Sequence, residues 1–228
     1  MSDRAQIEEL TPMLLLHAYA AGVFPMAESA DAEEVLWIDP DLRGIVPLER
    51  FHVPKSLRKR VLKDDLRVSV DTDFEGVIDG CANRESTWIN PEIRRLYVAL
   101  HRMGHAHSVE VSRPHGSGRT LVGGLYGVRI GAAFFGESMF SHETDASKIA
   151  FVHLVARLKA GRFQLLDTQF VTDHLAKFGA RAIPRNRYQD MLDQAIRKDA
   201  DWEALDNNID GPPSPQEVVQ LSTQTSYL

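Results

Sequence analysis

The stretch FFGESMFSHETDASK, Phe134 to Lys148, sets a carboxylate immediately after two aromatic residues and a glycine. Phe134, Phe135 and Gly136 read as a buried strand, and an acid at its end, Glu137, costs several kcal/mol to bury unless it is paired or functional. A second polar group ends another apolar strand. In LLDTQ, Asp167 and Gln169 are two residues apart, so an extended chain points both side chains to one face, within reach of each other. Such a pair either terminates a strand or orients a reacting group. Trp37 in LWIDP and Trp88 in STWINPE fall in loops or helix starts, where an indole is satellite core or a stacking platform for a base or ligand. His105 and His107 alternate on one strand face, but no third ligand has recognisable spacing, so no metal and no cofactor is expected.

The chain of 228 residues, 43% hydrophobic and 25% charged, is long enough for one large domain or two unequal ones. Its polar, mixed-charge start, MSDRAQIEEL, and the lack of an apolar run of about 20 residues argue against export or membrane insertion. Cys81, the single cysteine, shares a helical spacing with Phe74, Val77 and Ile78, which fits a buried thiol in a reducing cytoplasm. The net charge of -6 sits in the last segment, where Asp199, Asp201, Glu203, Asp206, Asp210 and Glu217 face no Lys or Arg. Between Arg43 and Arg67, by contrast, Arg43, Arg50, Lys55, Arg58, Lys59, Arg60, Lys63 and Arg67 outnumber the acids. That segment is either a solvated helix or a local phosphate-binding patch.

Positioning these groups requires regular elements. TPMLLLHAYAAG reads as a helix capped by Thr11 and stopped at Gly22, followed by turns with Pro25, Pro40, Pro47 and Pro54. A basic helix over Lys55–Lys63, the alternating LRVSVD, a helix over Phe74–Cys81 and a helix from the Asn90 cap to Gly104 come next. HSVEVS, TLVGGLYGV and IGAAFFGES then read as an antiparallel meander. A helix over Asp145–Lys159, the strand FQLLDTQ, the helix VTDHLAKFG and a helix over Pro184–Arg197 complete a mixed sheet. The expected class is α+β: a small N-terminal α+β domain (residues 1–52), a larger N-acetyltransferase-like domain with a mixed, mostly antiparallel sheet (53–198), and an acidic, extended C-terminal tail (199–228) whose last ~15 residues contribute neither core nor chemistry.

Together, GVFPM, WIDPDLRGIVPLERFHVPKSLRK, TWI, GHAHSVEV, LVGGLYGV, FFGESMFS with ASK, LLDTQ, HLAKFGA and IPRNRY resemble the leucyl/phenylalanyl-tRNA–protein transferase family, in the family's order, over residues 10–190 or so. The resemblance implies transfer of Leu, Phe or, less well, Met from aminoacyl-tRNA to acceptor proteins that begin with Arg or Lys, marking them for degradation. It implies Asp167 and Gln169 as the catalytic pair, Glu137 as an active-site acid, and Trp37 and Trp88 near the terminal adenosine. Two departures stand out: Ile38 and Asp39 follow Trp37 where the family often has a second tryptophan and a serine, and Thr168 replaces a cysteine.

That chemistry suits these residue types. Aminolysis of an activated ester needs a neutral amine, a stabilised oxyanion and good positioning, and no covalent nucleophile. With Asp167 accepting from the Gln169 amide, the amide oxygen would guide the amine and Glu137 would hold a cationic group. Leu125, Phe134, Phe135 and Leu154 are candidates for an apolar cup around the donor side chain, and Lys55, Arg58, Lys59 and Arg60 for contacts to tRNA. A monomer is expected. An acyl-CoA-dependent N-acetyltransferase would want a glycine-rich pyrophosphate turn, which GESMFSHETDASK lacks. A non-catalytic RNA-binding module would leave Glu137, Asp167 and Gln169 idle.

Overall fold

The structure is a computed structural model, and residues 10–32, 34–206 and 212–224 are described here. The sequence readings for residues 1–9, 207–211 and 225–228 lie outside them. Helix α1 (Pro12–Ala20) starts where Thr11 accepts from the Leu14 amide at 3.1 Å, with proline in the first turn, and the chain reverses at Gly22, whose φ of +86° suits glycine. Strands β1 (Phe24–Met26) and β2 (Leu36–Ile38) pair as an antiparallel ribbon. Strand β3 (Leu42–Ile45) then joins a different sheet. The N-terminal part therefore stops before Leu42, and the boundary expected at residue 52 is corrected: a four-residue apolar strand carries no sign of which sheet it will enter.

The main sheet adds β4 (Arg67–Val70), β5 (Ala106–His115), β6 (Gly118–Ile130), β7 (Ala133–Ser141), β8 (Leu165–Gln169) and β9 (Arg181–Pro184), in the order β4-β5-β6-β7-β8-β3-β9. Every pairing is antiparallel except that of β7 with β8. The meander β5-β6-β7 is the one the turn signals indicate. Strands β7 and β8 pair only from Ala133, Phe134 and Phe135 to Leu165, Leu166 and Asp167, then part. The sheet is thus open just where Glu137 and Gln169 stand, as the expected class requires.

Helices cover both faces. On one lie α1, α3 (Phe74–Ala82), α4 (Pro91–Arg102) and α7 (Arg185–Ala195), whose apolar residues, Cys81 among them, form one core. On the other, α2 (Lys55–Leu62), α5 (Ala146–Ala160) and α8 (Pro215–Thr223) form a second, while α6 (Asp173–Ala176) is a single turn after β8. Among the described residues no helix is long and apolar enough to cross a membrane.

Helix α8 overturns the expected extended tail. Ser214 and Glu217 make a capping box, and Val218 and Val219 are buried against α5. Proline-rich GPPSP reads as a breaker, but Pro215 sits in the first turn, where proline is tolerated. The residues before it are packed as well. Trp202 is buried, stacks on Phe134 at 5.4 Å and on His107 at 4.3 Å, and donates to Asp71 at 2.9 Å. Arg157 pairs with Asp206 at 2.5 Å, so this acid is not surplus charge. Removing residues 214–228 should lower stability by roughly 3 kcal/mol, the burial of two valines. Urea unfolding followed by tryptophan fluorescence checks this, and an unchanged midpoint would return the tail to a dispensable role.

Candidate functional site

Asp167 is fully buried in the middle of β8, where the pairing with β7 ends, and its carboxylate is saturated with donors. From β3, Arg43 donates through Nε at 3.1 Å and Nη2 at 2.7 Å; Tyr188 of α7 donates at 2.6 Å; and the Gln169 main-chain amide donates at 2.7 Å. Arg43 spends Nη1 on the Gly22 carbonyl at 2.9 Å and lies between the rings of Phe24 and Tyr188, 4.4 and 4.7 Å from their centroids. Burial works against the guanidinium charge, but the adjoining Asp167 carboxylate overrides it and holds the pKa of Arg43 above its ordinary value. The counting of Arg43 with the exposed basic patch is corrected: it is 1% exposed and is the counter-ion of Asp167.

Gln169 follows in a left-handed conformation, φ +55°, which costs a side-chain-bearing residue about 1 to 2 kcal/mol. The hydrogen bond that its main-chain N–H donates to the Asp167 carboxylate holds it there. Gly44 on β3 makes the space, since a Cβ at that position would lie 2.6 Å from the Phe170 carbonyl carbon. The expected link between the two residues is therefore altered: Asp167 binds Gln169 through the main chain, and the side-chain Nε2 instead donates to Glu137 at 3.3 Å.

Glu137 stands on β7 among hydroxyls. Tyr19 of α1 donates to Oε1 at 2.6 Å, Tyr97 of α4 donates to Oε2 at 2.9 Å, and the two tyrosine oxygens are themselves in hydrogen-bond contact. Burial pushes the Glu137 carboxyl up to about 7; the two hydroxyls oppose the shift, Asp167 adds to it and Arg43 subtracts. Burial, with Glu137 nearby, pushes the Tyr19 and Tyr97 phenols well above their usual range, so both remain donors.

Glu137 and Gln169 line a cavity of about 280 Å³ where β7 and β8 part. Leu125, Phe151, Leu154 and Leu166 supply apolar wall, and Trp88 also borders the space. Of the residues expected to form the site, Glu137, Gln169, Leu125, Leu154 and Trp88 are brought together, and Asp167 stands behind the wall. Phe134 is not: it packs under Trp202 in the core on the α5 face, outside the cavity lining, and Phe135 packs on Tyr19 on the opposite face. A register shift between Tyr126 and Gly127 breaks the alternation that would place these rings by counting. Trp37 is 39% exposed on β2 and does not line the cavity. Thr168, expected to alternate away, does line it.

On α2, Lys55, Arg58 and Lys59 are exposed. Arg60, the fourth residue expected to contact tRNA, is half-buried and paired with Asp65 and Glu143. Among the described residues no three His, Cys, Asp or Glu side chains converge as a metal would require, and His107 bonds Asp71 through Nδ1 at 2.8 Å. Sequence reasoning missed Arg43, Tyr188, Tyr19 and Tyr97. The signal for the tyrosines was available: a hydroxyl on the buried face of a helix must find a partner.

The family model for the leucyl/phenylalanyl-tRNA protein transferase matches residues 45–193, and the model for that family's N-terminal domain matches residues 8–41. Proteins named leucyl/phenylalanyl-tRNA–protein transferase are similar over nearly their whole length. One from Cereibacter sphaeroides is 55% identical over 217 residues, 95% of this chain and 98% of its own. One from Nitrobacter winogradskyi is 53% identical, covering 98% and 100%, and one from Ruegeria pomeroyi 54% identical, covering 95% and 99%.

Because Arg43 would be left buried without its counter-charge, Asp167→Asn should cost roughly 3 to 5 kcal/mol. Chemical denaturation measures it; a loss below 1 kcal/mol or so would mean that solvent reaches the pair.

Proposed function

This chain belongs to the leucyl/phenylalanyl-tRNA protein transferase family, and on that premise we propose that it moves Leu or Phe, and less well Met, from aminoacyl-tRNA to proteins with an N-terminal Arg or Lys. The reading takes the chain as a cytoplasmic monomer whose products are marked for degradation. The observation that carries it is the cavity at the parting of β7 and β8, with apolar walls for an aliphatic or aromatic donor side chain and a polar wall of Glu137 and Gln169.

In this reading the donor ester carbonyl sits between the apolar pocket and the polar wall, and the acceptor α-amine approaches past Glu137. Gln169 has its Nε2 committed to Glu137, which leaves its carbonyl oxygen to accept from the attacking amine and align the nitrogen lone pair with the ester carbon. Asp167 does not take the proton in this scheme. Its acceptor positions are filled by Arg43, Tyr188 and the Gln169 amide, so it fixes the geometry of Gln169. Trp88 offers a stacking surface beside the cavity and Trp37 a second, more exposed one, both suited to a terminal adenosine. Lys55, Arg58 and Lys59 are available for phosphate contacts.

Transfer of radiolabelled Leu from Leu-tRNA to an Arg-initiated peptide, run beside acetyl-CoA and with and without EDTA, tests the activity. Transfer from Leu-tRNA alone, indifferent to chelator, is expected; transfer from acetyl-CoA would sink the reading. In the same assay Gln169→Ala should lower kcat about 100-fold while filter binding of tRNA is unchanged, because the contact matters mainly in the transition state. Reversing Lys55, Arg58 and Lys59 to Glu should raise KM for tRNA and flatten its salt dependence, since phosphate contacts release counterions. Parental tRNA affinity in that variant would make α2 a solvated helix only.

A further inference from the structure

Three oxygen contacts join Tyr19, Tyr97 and Glu137 into a closed triangle: Tyr19 to Tyr97 at 2.5 Å, Tyr19 to Oε1 at 2.6 Å and Tyr97 to Oε2 at 2.9 Å. Each contact needs one proton between its oxygens. With Glu137 ionised, the two phenols supply one proton fewer than the contacts require, and the tyrosine oxygens face each other at the cost of one carboxylate bond. With Glu137 protonated the count closes: the carboxyl donates to Tyr97, Tyr97 to Tyr19, and Tyr19 back to Oε1. The only part of this triangle that lines the cavity is Glu137.

We propose that Tyr19, Tyr97 and Glu137 form a one-proton store for the transfer reaction, in which the ionised Glu137 takes a proton from the acceptor α-ammonium and the two tyrosines act as positioning residues. The inference rests on the aminoacyl-transfer reading. The balance is as follows: an N–H bond of the ammonium breaks and an O–H bond forms on Glu137; the freed amine forms the N–C bond; the C–O bond to the ribose breaks; and a second proton passes from nitrogen to the departing ribose oxygen. Glu137 then returns its proton to solvent, so the net products are amide, free tRNA and one proton.

The surroundings tune this store. Tyr126 of β6, whose buried hydroxyl has no partner among the described residues, faces Glu137, as do Asp167 and Gln169 of β8 and Arg43 of β3. Behind Tyr126 lie Cys81 of α3 and Arg84 just beyond it. Burial holds the Cys81 thiol up at about 12, so it does not compete for the proton.

Removing either hydroxyl takes a donor from the carboxylate and should move its titration upward by about one pH unit. Tyr19→Phe and Tyr97→Phe are therefore expected to turn over at near the parental rate at about pH 8.5 and roughly tenfold slower at about pH 6. A merely structural role would lower both rates alike, and that result would overturn the inference. Infrared titration of the carboxyl stretch, without substrate, provides the second measurement. One carboxylic acid band should appear near neutrality, vanish in Glu137→Gln, and shift its midpoint upward in Tyr19→Phe; an unshifted midpoint would also overturn the proposal. If the parent protein fails to transfer Leu from Leu-tRNA, the functional reading falls, while the infrared titration still decides whether the store exists.

Discussion

A carboxylate with no exposure at the heart of a sheet must have its acceptor positions filled, and meeting that requirement at Asp167 organises much of the molecule. Arg43 arrives from β3, Tyr188 from α7 and the Gln169 amide from the following turn, while the remaining guanidinium N–H reaches back to the carbonyl of Gly22 at the end of α1. The pair ties β3 to β8, and the same guanidinium ties β3 to the end of the N-terminal helix. An apolar cluster of the same volume could be as stable. What the ion pair adds is placement, because a planar fork meeting a carboxylate fixes distance and orientation together.

The same constraint separates the roles of the two acids. Asp167 is saturated and tied to a counter-ion, whereas Glu137 has only neutral donors and a share of the cavity wall. Its carboxyl therefore sits near neutrality, with burial as the leading cause and the Asp167 charge as a further one. Two carboxylates in one site are pushed apart by their environments, one fixed in place and one able to exchange a proton. Gln169 links them, held by Asp167 through its main chain and touching Glu137 through its side chain.

Much of this was legible in the residues. Thr11 and Asn90 mark helix starts because a side-chain oxygen must satisfy the first free amides, and the glycine-rich turns fix the β5-β6-β7 meander. Glu137, Asp167 and Gln169 stood out because polar groups at the ends of apolar strands need a reason. What was not legible depends on pairing across distance. Arg43 is 124 residues from Asp167, so local charge counting put it on the surface. The tail was read as extended from its prolines and acids. Two local signals pointed the other way: Ser214 and Glu217 have capping-box spacing, and α5 carries Val152, Val155 and Ala156 as well as Ile149 and Phe151, apolar on too many sides to face only a sheet.

That all-round burial of α5 bears on the cavity itself. Phe151 and Leu154, which line it, project from α5, and α5 is pinned from behind by α8 and by the Arg157 contacts to Asp206 and the Trp202 carbonyl. Trp202 in turn stacks on Phe134, in the three-residue stretch where β7 still pairs with β8. The C-terminal segment thus braces the apolar wall and the root of the strand opening from one face of the sheet, while α1 and α4 deliver Tyr19 and Tyr97 to Glu137 from the other. A gap between parallel strands would close if either side could move inward. Here each wall is backed by its own packed core, so the opening persists as a property of the fold.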